Sequence, residues 1–294
     1  MSRPKQQHFV PQVYLRNISS DNKKDRFYFY DKINDKMGTV NISNVAQEKE
    51  FYTDVSQVNK DFFEQFYSIK VEPILGKLLN RIISTATLFS ETTPLLTKPD
   101  RSALSRMVAF QMLRTRSTRN FIHEKSDQVL RPFVSKLSSI PEFRSNKGIE
   151  ALIDRVSIMD DNTLKELSLP ITIDENRISQ FASLIDSMVC TFYYNLTDEP
   201  FITSDNPIVV KRLSTDDIGL GKAGLSWLDT MIFYPISPRL LAVFMHNDFL
   251  FTSGFKEYEN RKCAIKQKEI IWTVNRFQHL LASRQVYSSK PFFV

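Results

Sequence analysis

Between Asp61 and Ala86, the residues Phe62, Phe66, Ile69, Ile74, Leu78 and Ile82 recur at helical spacing, whereas both ends of the chain are patterned for strands. That change of period constrains the fold more than any other feature. Near the start, Arg26 to Ile33 reads as a strand. The polar turn Asn34 to Gly38 and a second short strand, Thr39 to Ile42, complete a hairpin. Near the end, Phe201-Ile-Thr and Ile208-Val-Val flank the turn Ser204 to Pro207, and Thr230 to Ile236 and Leu240 to Met245 follow. Helices near 256–268 and 269–286 close the chain. Strands at both ends of a helical middle imply a helix-rich α+β fold, with a mixed or antiparallel sheet that unites the two termini.

The helical middle is expected to kink at Pro73 and to resume at Pro99-Asp100 in a helix running through Arg119. Further helical segments are expected near 121–139, 147–156, 161–168 and 176–196. A length of 294 residues with seven glycines and no Pro/Gly/Ser linker reads as one domain over 1–294. Its regions are a strand and hairpin segment over 1–45, a helical middle over 46–196, and a strand-then-helix segment over 197–294.

Apolar residues make up 42% of the chain, enough for a large core without metals or disulfides. No apolar run reaches the length of a membrane-spanning helix, and the opening Met1 to His8 lacks the apolar stretch of a signal peptide. The expected location is therefore the cytoplasm, with no membrane partner and with Cys190 and Cys263 as free thiols. A net charge of +6 without a run of like charges is compatible with nucleic acid or a nucleotide as partner, and leaves a protein partner open.

Three polar features stand where a fold would place apolar residues. In the helix after Pro99, one side carries Leu104, Met107 and Val108 and then Gln111, Arg114, Thr115 and Thr118. An inward Arg114 needs a carboxylate or an anionic ligand. It is either a structural ion pair with Glu48 or Glu72, or a binder of phosphate or carboxylate. Arg116 and Arg119 read as solvated surface charges. Second, if His8 to Arg16 is extended, Gln12, Tyr14 and Arg16 line one face beside His8, the best acid/base candidate of the four histidines. Third, Thr203-Ser-Asp-Asn-Pro207 is a tight turn at a strand end, where Asp205 and Asn206 either bond their own backbone or face a ligand.

Several motifs are missing. Gly219-Leu-Gly-Lys-Ala-Gly224 fits neither dinucleotide-binding nor phosphate-loop spacing and reads as a loop. No His/Cys spacing marks a zinc site, and no metal ligands are assigned. Glu64, Glu72 and Glu91 lack the partners of an Asp…Glu-x-Lys nuclease signature.

The same residues resemble a bacterial domain family of unknown function that opens with His-Phe-x-Pro-Gln-x-Tyr-Leu-Arg, matched here from His8 to Arg16. Later matches are Glu48 with Phe51-Tyr52, Gln111 with Arg114-Thr115, Thr203 to Pro207, and Phe233 to Pro238, where Tyr234 departs from the pattern. The resemblance implies one shared domain and no particular reaction.

These residues favour an enzyme acting on a phosphate-containing substrate, a nucleic acid phosphodiester first, in bacterial or phage conflict. His8 would transfer the proton, and Asp205 would fix the His or a metal. Arg16 and Arg114 would hold phosphate oxygens, with Gln12, Tyr14, Gln111 and Asn206 binding the substrate and Mg²⁺ as a candidate cofactor. The competing reading is a non-enzymatic sensor or binding module for an anionic small molecule or a protein.

Overall fold

The computed structural model describes residues 6–20, 23–53, 59–125, 128, 131–140, 154, 168–249 and 252–291. The helices expected near 147–156 and 161–168 lie almost wholly outside these residues, as does part of 121–139. The strands are β1 (Gln6–His8), β2 (Arg26–Asp31), β3 (Lys36–Asn41), β4 (Gln47–Lys49), β5 (Val189–Asn195) and β6 (Thr203–Ser204). They continue with β7 (Val209–Arg212), β8 (Thr230–Ser237), β9 (Leu240–Met245), β10 (Lys262–Ile265) and β11 (Gln285–Ser288). The helices used below are α1 (Gln12–Leu15), α2 (Phe62–Phe66), α3 (Glu72–Leu88), α4 (Lys98–Leu113), α5 (Arg116–Lys125) and α6 (Arg131–Ser138). They end with α7 (Glu175–Asp186), α8 (Ser253–Lys256) and α9 (Lys268–Leu281).

The fold is α+β, and one sheet does unite the two ends of the chain. Its four strands run in the order β3-β2-β11-β6, so the N-terminal hairpin pairs with the last strand. A five-stranded sheet, β10-β5-β9-β8-β7, is antiparallel except where β10 pairs with β5. Strands β8 and β9 are almost continuously buried because both faces are covered. Cys190, Phe192, Ile232, Tyr234 and Phe244 join the large core with α3 and α4. Val209, Met231, Phe233, Leu241 and Val243 face Ile271 and Val274 of α9.

Several boundaries differ from expectation, each for a tertiary reason. The helix expected over 176–196 stops at Asp186, and Val189–Asn195 is a strand. Arg101, buried in α4, donates to the carbonyls of Ile185 and Met188 at 2.7 and 2.9 Å and closes that helix end. The helix expected from Pro99 through Arg119 breaks at Arg114. There the Thr115 hydroxyl accepts the N–H of Thr118 and starts α5 afresh. Residues 262–265 form β10 inside the helix expected over 256–268. Pro73 stands in the first turn of α3, directly after a π-turn over Tyr67–Val71, where its missing N–H leaves no helix bond unmade. The buried face there is Phe63, Tyr67, Val71 and Leu75, while Phe62, Ile69 and Ile74 of the expected stripe are exposed.

Candidate functional site

The segment from His8 to Arg16 is not one strand. β1 ends at His8, which pairs with Gln47 of β4, and Pro11 then caps the short helix α1. Proline suits a helix start, where its missing N–H leaves no bond unmade. The helical turn separates the three residues expected on one face. Tyr14 points into the core, stacked on Tyr234 at 5.1 Å. Its hydroxyl donates to the Pro235 carbonyl at 2.7 Å, so the Thr203 hydroxyl, 2.6 Å away, donates to the phenol oxygen. Burial pushes the phenol far above its usual pKa. With both contacts internal, Tyr14 is not presented to a ligand.

His8, Gln12 and Arg16 stay together, each four residues from the next. Arg16 Nη2 donates to Gln12 Oε1 at 3.0 Å. That bond orients the amide, so Gln12 Nε2 donates to His8 Nε2 at 2.9 Å. The imidazole therefore accepts at Nε2, carries its proton on Nδ1 and is neutral. Burial lowers the His8 pKa and outweighs the nearby Glu72 charge and the Val45 carbonyl, which raise it. Arg114 and Arg16 lower it further. Nδ1 is buried and has no partner in hydrogen-bond geometry, so the Val45 carbonyl acts on the ring without satisfying it.

Arg114 closes α4 and is 2% exposed. Its Nε donates to the Tyr52 hydroxyl at 2.9 Å, and its Nη2 donates to the His8 carbonyl at 2.8 Å and to Glu72 at 3.0 Å. The Tyr67 ring lies 4.1 Å below the guanidinium. Of the two carboxylates named as partners, Glu72 takes Arg114, and Glu48 takes Arg116 and Arg119. Those two arginines are not solvated surface charges. Arg119 also donates to the Phe51 carbonyl, and burial lowers its pKa to about 10. A cavity of about 10 Å³ bounded by Tyr52, Arg114, Arg119 and Thr172 admits one water at most and leaves no room for a phosphate. Gln111, also buried, donates to the Phe9 carbonyl at 3.2 Å. Arg114 and Gln111 thus hold two successive carbonyls, those of His8 and Phe9.

Asp205 stands apart from this group. Its carboxylate accepts the backbone N–H groups of Ser283, Arg284 and Gln285 at 2.8–3.1 Å and makes no bond to His8. Burial raises its pKa against the pull of those three donors. Asn206 works through its backbone, whose N–H and carbonyl both meet the Ser204 hydroxyl. The five-residue turn is therefore a buried brace between β6, α9 and β11.

Sequence reasoning missed Glu64. It lies near Arg114, Glu72 and Asp61, and burial raises its pKa to about 7, with the Arg114 charge opposing and the two carboxylates adding to the rise. No motif surrounds it, and it lies outside the apolar stripe read from the sequence. Among the described residues, no group of three or more His, Cys, Asp or Glu side chains is placed to hold a metal ion. No helix among them is long and apolar enough to cross a membrane.

An α+β fold carrying a neutral histidine, set between an exposed arginine and a buried one, defines the class of architecture here. The chain belongs to the family described as "Protein of unknown function (DUF4238)", whose model matches residues 6–292. No curated protein and no solved structure matches it.

Proposed function

We propose that this protein is an enzyme acting on a phosphate-containing substrate, a nucleic acid phosphodiester in the first instance, in the cytoplasm and in bacterial or phage conflict. The observation that carries this reading is the Arg16–Gln12–His8 chain. It holds a neutral imidazole with its basic nitrogen toward the half-exposed side of α1. When the Gln12 amide turns aside, Nε2 can take the proton of an attacking hydroxyl or water. Exposed Arg16 supplies the charge that a phosphodiester needs as negative charge builds on its oxygens. Arg114 is a positioning residue in this scheme, because it grips the His8 carbonyl and has no path to a phosphate. Asp205 likewise acts by bracing the fold.

The test is incubation of the purified protein with labelled total RNA and plasmid DNA, with and without Mg²⁺, beside His8→Ala and Arg16→Ala. The expected result is cleavage by the parent protein, loss of cleavage in His8→Ala, and weakened cleavage in Arg16→Ala. Both variants should retain the parent's melting temperature within a few degrees. Cleavage that survives in His8→Ala would remove this site from the reaction. Cleavage of neither polymer under any condition would end the nuclease reading. Growth arrest on expression, relieved by His8→Ala, is the matching result in cells.

A further inference from the structure

The second polar region of the molecule is a groove of about 310 Å³ between α5, the loop after β7 and the end of α9. It shares no residue with the His8 group. Three chain segments are locked around it. A Cβ at Gly221 would lie 2.5 Å from the Phe121 ring, so the loop backbone rests against that ring. Gly219 has φ +90°, and a Cβ there would meet Leu281 at 3.0 Å. Ser283, on the third wall, is held by the buried carboxylate of Asp205. The glycines and the Asp-Asn-Pro turn thus share one structural result, which is the shape of this groove.

Its lining offers two kinds of chemistry. Lys125 and Lys222 both line it, and both are exposed. In the loop, the N–H groups of Lys222 and Ala223 are used by the Gly219 carbonyl at 3.1 and 2.8 Å. Those of Leu220 and Gly221 have no acceptor among the described residues. Two backbone N–H groups without an acceptor there, and two ammonium groups of which Lys125 Nζ donates to Gln128 Oε1 at 2.9 Å, line the same groove, and together they are a phosphate-binding chemistry. The rest of the groove offers the Phe121 ring and Leu281 as apolar surface, with Asn120 and Glu124 as hydrogen-bonding groups on the same face of α5. A carboxylate beside an amide suits the amino and ring N–H groups of a nucleobase. The volume lies at the low end for ligand sites, which fits one nucleotide.

We propose that this groove binds a nucleoside monophosphate, with its phosphate at Lys125, Lys222 and the Leu220–Gly221 backbone and its base along Phe121. The proposal does not depend on the nuclease reading. Its test is isothermal titration of the protein with AMP and GMP, and in parallel with adenosine and inorganic phosphate. AMP or GMP should bind one per chain, and the nucleoside and the phosphate should each bind at least tenfold more weakly. Lys125→Ala with Lys222→Ala should weaken the nucleotide at least tenfold, as should Asn120→Trp, which fills the groove from an exposed helix position. All three positions are exposed, so melting temperature serves as the folding control. His8→Ala should bind the nucleotide as tightly as the parent protein, which keeps this result separate from any failure of cleavage. The proposal is overturned if neither nucleotide binds at millimolar concentration. It is equally overturned if the groove variants bind unchanged, or if phosphate alone binds as well as AMP.

Discussion

Arg16 and Arg114 have the same side chain and opposite situations. Arg16 is exposed, and among the described residues its side chain bonds to Gln12. Arg114 is buried, pairs with Glu72, and is also bonded to Tyr52 and to the His8 carbonyl. A buried guanidinium is tolerated when its charge is paired and most of its donors are met; here Nη1 alone finds no partner, and the cavity against this side chain admits one water at most. The exposed arginine pays no such desolvation cost and can turn toward a phosphate in solvent. Burial and partner count therefore separate the residue that shapes the site from the one suited to touch substrate.

The comparison is broken most directly at Arg114. Arg114→Met should cost about 3–5 kcal/mol, because it leaves Glu72 and the His8 carbonyl without their partner. Urea unfolding measures this, and a cost under about 1 kcal/mol would show that the pair contributes little. Asp205→Ala comes next, at about 3 kcal/mol, since three backbone N–H groups lose a charged acceptor. If Asp205 served chemistry alone, its removal would leave the unfolding midpoint unchanged.

Acid and base behaviour sharpens the contrast. Glu64 is raised to about 7 in the folded protein, so the folded state binds its proton more tightly than the unfolded state does. Its contribution is fully present below about pH 4.5 and is lost as pH rises toward 7. His8 is lowered, so its contribution is present above about pH 6.5 and is lost as the solution is acidified through the folded pKa. The two oppose each other between about pH 4.5 and 6.5. Stability measured against pH should tilt one way in Glu64→Gln and the other way in His8→Ala. Parallel profiles for the two variants would contradict the environments described for both groups.

The smallest stability effect belongs to Arg16. Arg16→Ala should change unfolding free energy by less than about 0.5 kcal/mol while lowering turnover on a phosphodiester. A stability loss comparable to that of Arg114→Met would erase the distinction between the two arginines.

Much of this was legible in the sequence. The hairpin over 26–42, the strand pair over 230–245 and the α+β class follow from local periodicity, whereas the two strands read around 201–210 enter different sheets, β6 beside β11 and β7 beside β8. The inward direction of Arg114 was legible from helical spacing, but its partner was not, since Glu48, Glu72 and an anionic ligand all stayed open until the fold placed Glu72 beside it. Local pattern misled at α1. Gln12, Tyr14 and Arg16 alternate as a strand would, yet Pro11 starts a helix there and Tyr14 turns to the core. Glu64 was illegible, because its shifted pKa depends on burial and on charges brought near by folding.

The sequence by itself determined which segments are apolar enough to pack and where proline and polar turns interrupt them. Only the tertiary structure decided where two of the helices end. Arg101 closes α7 from 84 and 87 residues away, and Asp205 holds the turn after α9 from 78 to 80 residues away. In each case a buried charged side chain satisfies backbone groups that the helix leaves unpaired or that lie just beyond it. Local propensity cannot register such a partner, because it comes within hydrogen-bonding distance only when the chain has folded.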